Sequence, residues 1–288
     1  MNWLHLLFMC EIYVILALSA NLVSGYTGLL SFANAAFYGL GAYVTTLVMK
    51  NFGFNYFPSL LFAIGFNIIV SFIVTYFSIR LKDLYFTLAT LAFQVIIFSV
   101  LYNWEKVTGG SYGISEIPGV NVFGYHLNGT KEYAILGGCF VLMVISFFFF
   151  FQSTPFMRLL ECIRDRELGA VSLGKNVSYY KFICNSVAAA FIAIAGSLFA
   201  VYNSYIDATS FTLNESILIV NMILIGGTGN LIGPIFGACF YVMLPEATRL
   251  IPIDSTKGAS LQMIIYSLIL ILIVRFKPNG LFGKFKFE

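Results

Sequence analysis

The chain passes through some nine apolar stretches with only short polar connections between them, and this succession limits what it can fold into more than any other feature. A helix rises 1.5 Å per residue, so about 20 apolar residues cross a hydrocarbon layer about 30 Å thick. The stretches fall at 4–24, 27–49, 57–79, 84–102, 133–151, 182–202, 211–225, 231–248 and 259–274. Charged residues make up 10% of the chain and hydrophobic residues 59%, with a mean hydropathy of +0.89. Soluble domains carry about 25% charged residues, and no soluble fold of 288 residues hides so much apolar surface. The runs also lack the ten-residue alternation of a barrel strand. The expectation is an all-α, polytopic integral membrane protein with about nine transmembrane helices. No linker divides it, so residues 1–288 read as a single transmembrane domain.

One charged, amphipathic stretch breaks this pattern, TPFMRLLECIRDRELGAVSLGKNVSYYK at 154–181. Pro155 opens a helix in which Phe156, Leu159, Leu160 and Ile163 recur at three-to-four spacing. Arg158, Glu161, Arg164 and Asp165 take the other positions, so the helix lies on a membrane or against a partner. With this loop, about 152–181, on the cytosolic side, alternation of spans puts 80–83 and the tail after Arg275 there too. Those three stretches hold 11 of the 16 Lys and Arg residues, as the positive-inside bias requires. The loop 103–132, with two Lys against three Glu, then faces outside.

Two segments depart from plain lipid-facing helix. GYTGLLSFANAAFYGLGAY at 25–43 is rich in glycine and small residues and contains Asn34. Such a segment is either closely packed or broken against a cavity. On the second reading Asn34, Gly39 and Gly41, with Tyr85 and Thr90 on the fourth span, are candidates to line a pathway. GGTGNLIGPIFGA at 226–238 starts with a natural turn at 226–230. It carries Gly229, Gly233 and Gly237 at every fourth position, a ladder suited to close helix packing.

Chemistry-bearing motifs are absent or false. GAVSLGKN at 169–176 misses a phosphate-binding loop by its last residue, and helical charge patterning precedes it where a strand is required. No catalytic set emerges: His5 and His126 stand far apart, and the aspartates lie in loops or near span ends. The five cysteines are scattered with no paired spacing, so neither a metal nor any other cofactor is expected. Nothing points to nucleic acid. Glu11 is the one acid well inside a span, where an ionisable residue signals function unless it snorkels or caps a neighbour.

Six blocks in order resemble the permease subunits of branched-chain amino-acid ABC importers, closer to the M-type than to the H-type. They are NLVSGYTGLLSFANAAFYGLGAY, RLKDLYFTLATLAF, TGGSYGISEIPG, the charged loop with Arg158, Arg164, Asp165 and Glu167, GGTGNLIGPIFGA and RFKPNGLFG. The resemblance implies a permease that hydrolyses nothing itself and sits in a bacterial inner membrane. Its implied partners are a second, H-type permease, two ABC ATPase subunits and an extracytoplasmic substrate-binding protein. It further implies that the charged loop docks on an ATPase, with Arg158, Arg164, Asp165, Glu167, Ala170 and Gly174 as coupling residues, and that solute crosses by alternating access. The chain departs from the family pattern with Met157 in place of a usual Gly, and it begins about one span early in that pattern, so the first helix of a ten-helix permease is expected to be absent. An ion-coupled secondary carrier or channel for small polar solutes is the alternative. It calls for acids or unwound helices mid-membrane in both halves. Within the family, urea and short amides are the rival solutes.

Overall fold

The computed structural model describes residues 3–78, 81, 83–122, 125–127 and 129–249, together with 265, 268, 271, 275 and 280–282. Eight of the nine expected spans coincide with helices: α1 (Trp3–Thr27), α2 (Asn34–Phe52), α3 (Tyr56–Ser78), α4 (Asp83–Asn103), α6 (Thr130–Gln152), α9 (Val177–Asn203), α10 (Leu213–Gly226) and α11 (Ile232–Arg249). A single-turn helix, α5 (Glu105–Thr108), follows α4, and α7 (Pro155–Asp165) and α8 (Glu167–Ser172) lie between α6 and α9. Of the ninth expected span, 259–274, only residues 265, 268 and 271 are described, each in helical conformation. Among the described residues, α1, α3, α4, α6 and α9 are long and apolar enough to cross a membrane, and α10 and α11 are shorter apolar helices.

The bundle is layered by burial. In α1 and α9, 67% of the apolar stretch is buried inside the protein, against 28% in α3 and 22% in each of α4 and α6. The first pair is therefore the centre, and the others present their Phe, Leu and Ile side chains outwards, as lipid-facing helices do. Small residues set the central seam. A methyl added at Gly41 of α2 would stand 2.7 Å from the Cα of Ala193 on α9, and one at Gly196 would stand 2.8 Å from the amide nitrogen of Ala42. Only glycine lets the two backbones approach so closely. Tyr56 of α3 closes the layer with its hydroxyl 2.9 Å from the Ser197 hydroxyl.

The second expected span, 27–49, is corrected at its start. Helix α1 continues to Thr27, residues 28–33 are irregular, and α2 starts only at Asn34. Gly28 permits the break, since it takes a left-handed φ of +75°, a conformation glycine adopts without strain. Helix α4 supplies the hydrogen bonds that the missing turn would have made. Thr87 donates to the Leu30 carbonyl at 3.1 Å, and the Phe32 amide donates to the Thr90 hydroxyl at 3.2 Å. The span expected at 211–225 likewise starts as a 3₁₀ turn, Ala208–Phe211, before α10.

The two ends of the bundle differ. At one, β1 (Ile114–Ser115) pairs antiparallel with β4 (Tyr205–Ile206), and β2 (Asn121–Val122) pairs with β3 (Tyr125–His126). Lys50 at the end of α2 donates to the Ser115 carbonyl at 3.2 Å. At the other end lie α7, α8, the α10–α11 turn and the C-terminal end of α1. Here the Leu281 amide reaches the Ile225 carbonyl at 3.1 Å and the Phe282 amide the Gly226 carbonyl at 2.9 Å, so these two residues of the RFKPNGLFG block lie against the end of α10. The charged loop and the 103–132 loop thus stand at opposite ends of the molecule.

Candidate functional site

Helix α7 starts at Pro155, whose fixed φ suits a first helical position. Met157, Leu160 and Ile163 are its buried residues. Leu160 and Ile163 follow the sequence reading, whereas Met157, where the family pattern has Gly, is almost wholly enclosed and fills space that a glycine would leave empty. The chain leaves the helix at Arg166 in extended conformation, with φ −153° and ψ 95°, and re-enters it as α8. In α8 only Ala170 is buried, while Leu168, Val171 and the following Leu173 are 84%, 53% and 69% exposed. Three apolar side chains at the charged end form a surface left uncovered by the described residues. Gly174, φ +71°, turns the chain back, and Asn176 caps α9 by accepting from the Tyr179 amide at 3.3 Å. The 169–176 stretch is therefore helix and turn following a helix, without the strand and loop of a phosphate-binding motif.

The charged coupling candidates split into two groups. Arg158 and Asp165 lie on exposed positions. Arg164 turns inwards: its Nη1 donates to the Gly25 carbonyl at 2.9 Å and its Nε to Asp165 at 2.9 Å, with only 9% of the side chain exposed. Glu167 pairs at 2.9 Å with Lys181 at the start of α9, whose side chain is 8% exposed. The sequence places these residues on one helical face or another but does not reveal that α1 and α9 arrive beneath them.

The pathway candidates divide as well. Asn34 and Thr90 come together around the irregular segment. Asn34 is buried and donates to the Ser31 carbonyl at 3.0 Å, and Thr90 accepts from Phe32. Gly39 lies against the Phe211 ring and Gly41 against Ala193, so both positions face packed neighbours. Tyr85 is 63% exposed on the outer side of α4, apart from the other four. Sequence reasoning missed the centre of this region, Gln94 on α4. Its amide donates to the Phe211 carbonyl at 2.8 Å, and its oxygen accepts from Ser216 at 3.3 Å. Ser216 in turn accepts from the Ala35 amide at 2.9 Å, in the first turn of α2 where helix amides have no partner of their own. A Gln in the middle of an apolar run was the available signal, and the structure buries it fully.

Of the glycine ladder, Gly233 and Gly237 lie on α11 with no room for a methyl before the backbone of Gly226, Gly227 and Met222. Gly229 stands in the preceding turn at φ +76°, where its amide donates to the Asn21 side chain at 3.2 Å. Glu11 sits against Gly137 and Gly138 of α6, with one carboxylate oxygen buried and unpartnered among the described residues. No group of three or more potential metal ligands occurs among the described residues.

Comparison with known proteins agrees with this geometry. The family profile described as branched-chain amino acid transport system / permease component matches residues 2–274. The high-affinity branched-chain amino acid transport system permease protein LivM of Salmonella typhimurium is 28% identical over 95% of this chain and 68% of its own length. Its counterpart in Escherichia coli is 28% identical over 94% and 67%. The probable branched-chain amino acid transport permease protein LivM of Methanocaldococcus jannaschii is 26% identical over 94% and 90%. No solved structure matches. A multi-pass helical bundle with one charged loop of its own, matched over nearly its whole length, belongs to the permease-component family of branched-chain amino acid transport systems.

Proposed function

We propose that this chain is the transmembrane permease subunit of an ATP-driven importer for branched-chain or similar amino acids. The observation that carries the reading is α8 and the residue after it, where Leu168, Val171 and Leu173 are exposed at the charged end of the bundle. An apolar knob of this kind stays soluble only when a partner covers it, and a family of transport-system permeases supplies the reason for one. The partners are two ABC ATPase subunits at the α7–α8 end, a second permease of the H-type beside the bundle, and an extracytoplasmic binding protein at the β1–β4 end. Residues 1–288 act as one transmembrane domain whose loop at about 152–181 is the coupling element, in a bacterial inner membrane. Hydrolysis of ATP belongs to the ATPase subunits. Asn34, Thr90 and the residues around them are the pathway candidates of this chain.

The test is reconstitution of the full transporter in proteoliposomes, with uptake of radiolabelled leucine followed with ATP enclosed in the lumen and the binding protein outside. Accumulation against a gradient that stops when ATP is withheld is the expected result, with competition by isoleucine and valine. Uptake that ignores ATP and follows an imposed ion gradient would refute the importer reading. Competition by urea or acetamide alone would move the substrate class.

A further inference from the structure

We propose that Arg164 is a positioning residue that transmits movement of the ATPase-facing α8 knob to the end of α1 and to the irregular segment 28–33, rather than a contact to the ATPase itself. The inference rests on the coupling role proposed for the α7–α8 loop.

Four observations carry it. The last carbonyls of a helix have no partner within it, and a cation beside them is favourable. Gly25 bears one of those carbonyls in α1, and the Arg164 guanidinium takes it at 2.9 Å with its side chain enclosed. The stem of the same side chain covers the start of the irregular segment, since a methyl at Gly28 would stand 3.0 Å from the Arg164 Cγ. A substituent at Gly25 would stand 2.7 Å from the Gly229 amide, so the end of α1 is already pressed on the α10–α11 turn. Asn21, one turn earlier, accepts from that same amide and donates to the Asn230 carbonyl at 2.8 Å. Arg164 therefore joins the loop to one continuous group: the end of α1, the α10–α11 turn and segment 28–33.

The apolar contacts of Met157, Leu160 and Ile163 bury α7 but do not fix its direction, because the hydrophobic effect is non-directional. A charge-assisted hydrogen bond to a fixed carbonyl is short and directional, so displacement of α7 is passed on instead of being lost as sliding. The ion pair of Glu167 with Lys181 fastens α8 to α9 in the same way, with the Glu167 side more exposed.

The experiment compares Arg164→Ala, Arg164→Lys and Leu168→Asp in the complete transporter in proteoliposomes. Two quantities are read for each: leucine taken up per ATP hydrolysed, and ATPase recovered with the affinity-tagged permease. For Arg164→Ala the expected result is ATPase recovery at the wild-type stoichiometry with uptake per ATP lowered tenfold or more. For Arg164→Lys, which keeps a cationic donor, the ratio returns to within threefold of wild type. Leu168→Asp instead loses the ATPase. A wild-type ratio in Arg164→Ala overturns the proposal, as does loss of ATPase equal to that of Leu168→Asp. Should Leu168→Asp retain the ATPase and transport normally, it is the coupling role of the loop that fails. A measurement on the wild type covers the case in which the alanine variant does not accumulate. Amide exchange in 25–33 of the assembled transporter should differ between the nucleotide-free and ATP-trapped states, and identical exchange overturns the proposal.

Discussion

Placing one methyl group at Gly41 tests whether the α2–α9 seam is as tight as the geometry requires. The added carbon would stand 2.7 Å from the Cα of Ala193, 2.8 Å from its carbonyl oxygen and 3.1 Å from its carbonyl carbon. All three are backbone atoms, so no side chain can swing away. Ordinary contact starts near 3.4 Å, and the two helices must part by about 0.7 Å at their crossing, the difference between 3.4 and 2.7 Å. Overpacking a well-filled interior costs about 1–3 kcal/mol, while exchanging glycine for alanine within a helix returns about 1 kcal/mol. Gly65 on α3 provides the control, because a methyl there meets nothing within 4 Å. The propensity gain is common to both variants and cancels, so Gly41→Ala should be less stable than Gly65→Ala by the overpacking cost, about 1–3 kcal/mol. Unfolding of the purified protein in detergent by SDS titration, followed by circular dichroism, reads that difference. Equal midpoints for the two variants would refute the argument that backbone contact at Gly41 sets the seam.

Three further outcomes follow from the same geometry. Single cysteines at Tyr112 and Lys175, in a background without the native five, should label from opposite sides of the membrane; labelling from one side would undo the assignment of ends. Gly174→Ala forces a side chain into φ +71°, which costs roughly 1–2 kcal/mol, and should lower the detergent unfolding midpoint although nothing crowds the site; an unchanged midpoint would show the turn to be free to rearrange. Gln94→Leu strands the Phe211 carbonyl and removes the acceptor of Ser216, at about 1–3 kcal/mol for each buried group left unpaired, and should destabilise the protein more than Gln152→Leu, which removes a single bond to Tyr26 at the end of α6.

The sequence showed the helices and the charged loop because both depend on local composition. Apolar runs of spanning length have one stable outcome in lipid, and a charged amphipathic stretch among them has to face water. The breaks were harder to see. Gly28, Ser31 and Asn34 suit a small-residue helix interface as well as an unwound segment, and the choice was made by Thr87 and Thr90 some 57 residues away. The direction of Arg164 was hidden for a similar reason, since periodicity places it on α7 but the carbonyl it meets belongs to α1. Gln94 was passed over because it looks ordinary alone, as a single polar residue in a span.

The bonds also divide the molecule into parts that are hard to separate and parts that are easy. At the β1–β4 end, Lys50 ties α2 to the strand pair, and β4 follows directly on α9. The Gly41–Ala193 and Tyr38–Gly196 contacts fuse α2 to α9 along its length. At the charged end, Arg164 and Asn21 tie α7 and the α10–α11 turn to α1. Between these two groups run segment 28–33, the Ala35–Ser216–Gln94 chain of hydrogen bonds, the Glu167–Lys181 ion pair and the side-chain packing of α1 on α9, which includes the Cys184 thiol donating to the Leu22 carbonyl. Exchanging a few such bonds at about 0.5–1.5 kcal/mol each is cheaper than parting a seam in which backbones touch. A rigid-body rearrangement therefore has its natural joint at 28–33, with α2 and α9 moving together. Amide exchange separates this from general loosening: a change on ATP trapping confined to 25–33 fits a joint, and an equal change in 38–46 of α2 would rule it out.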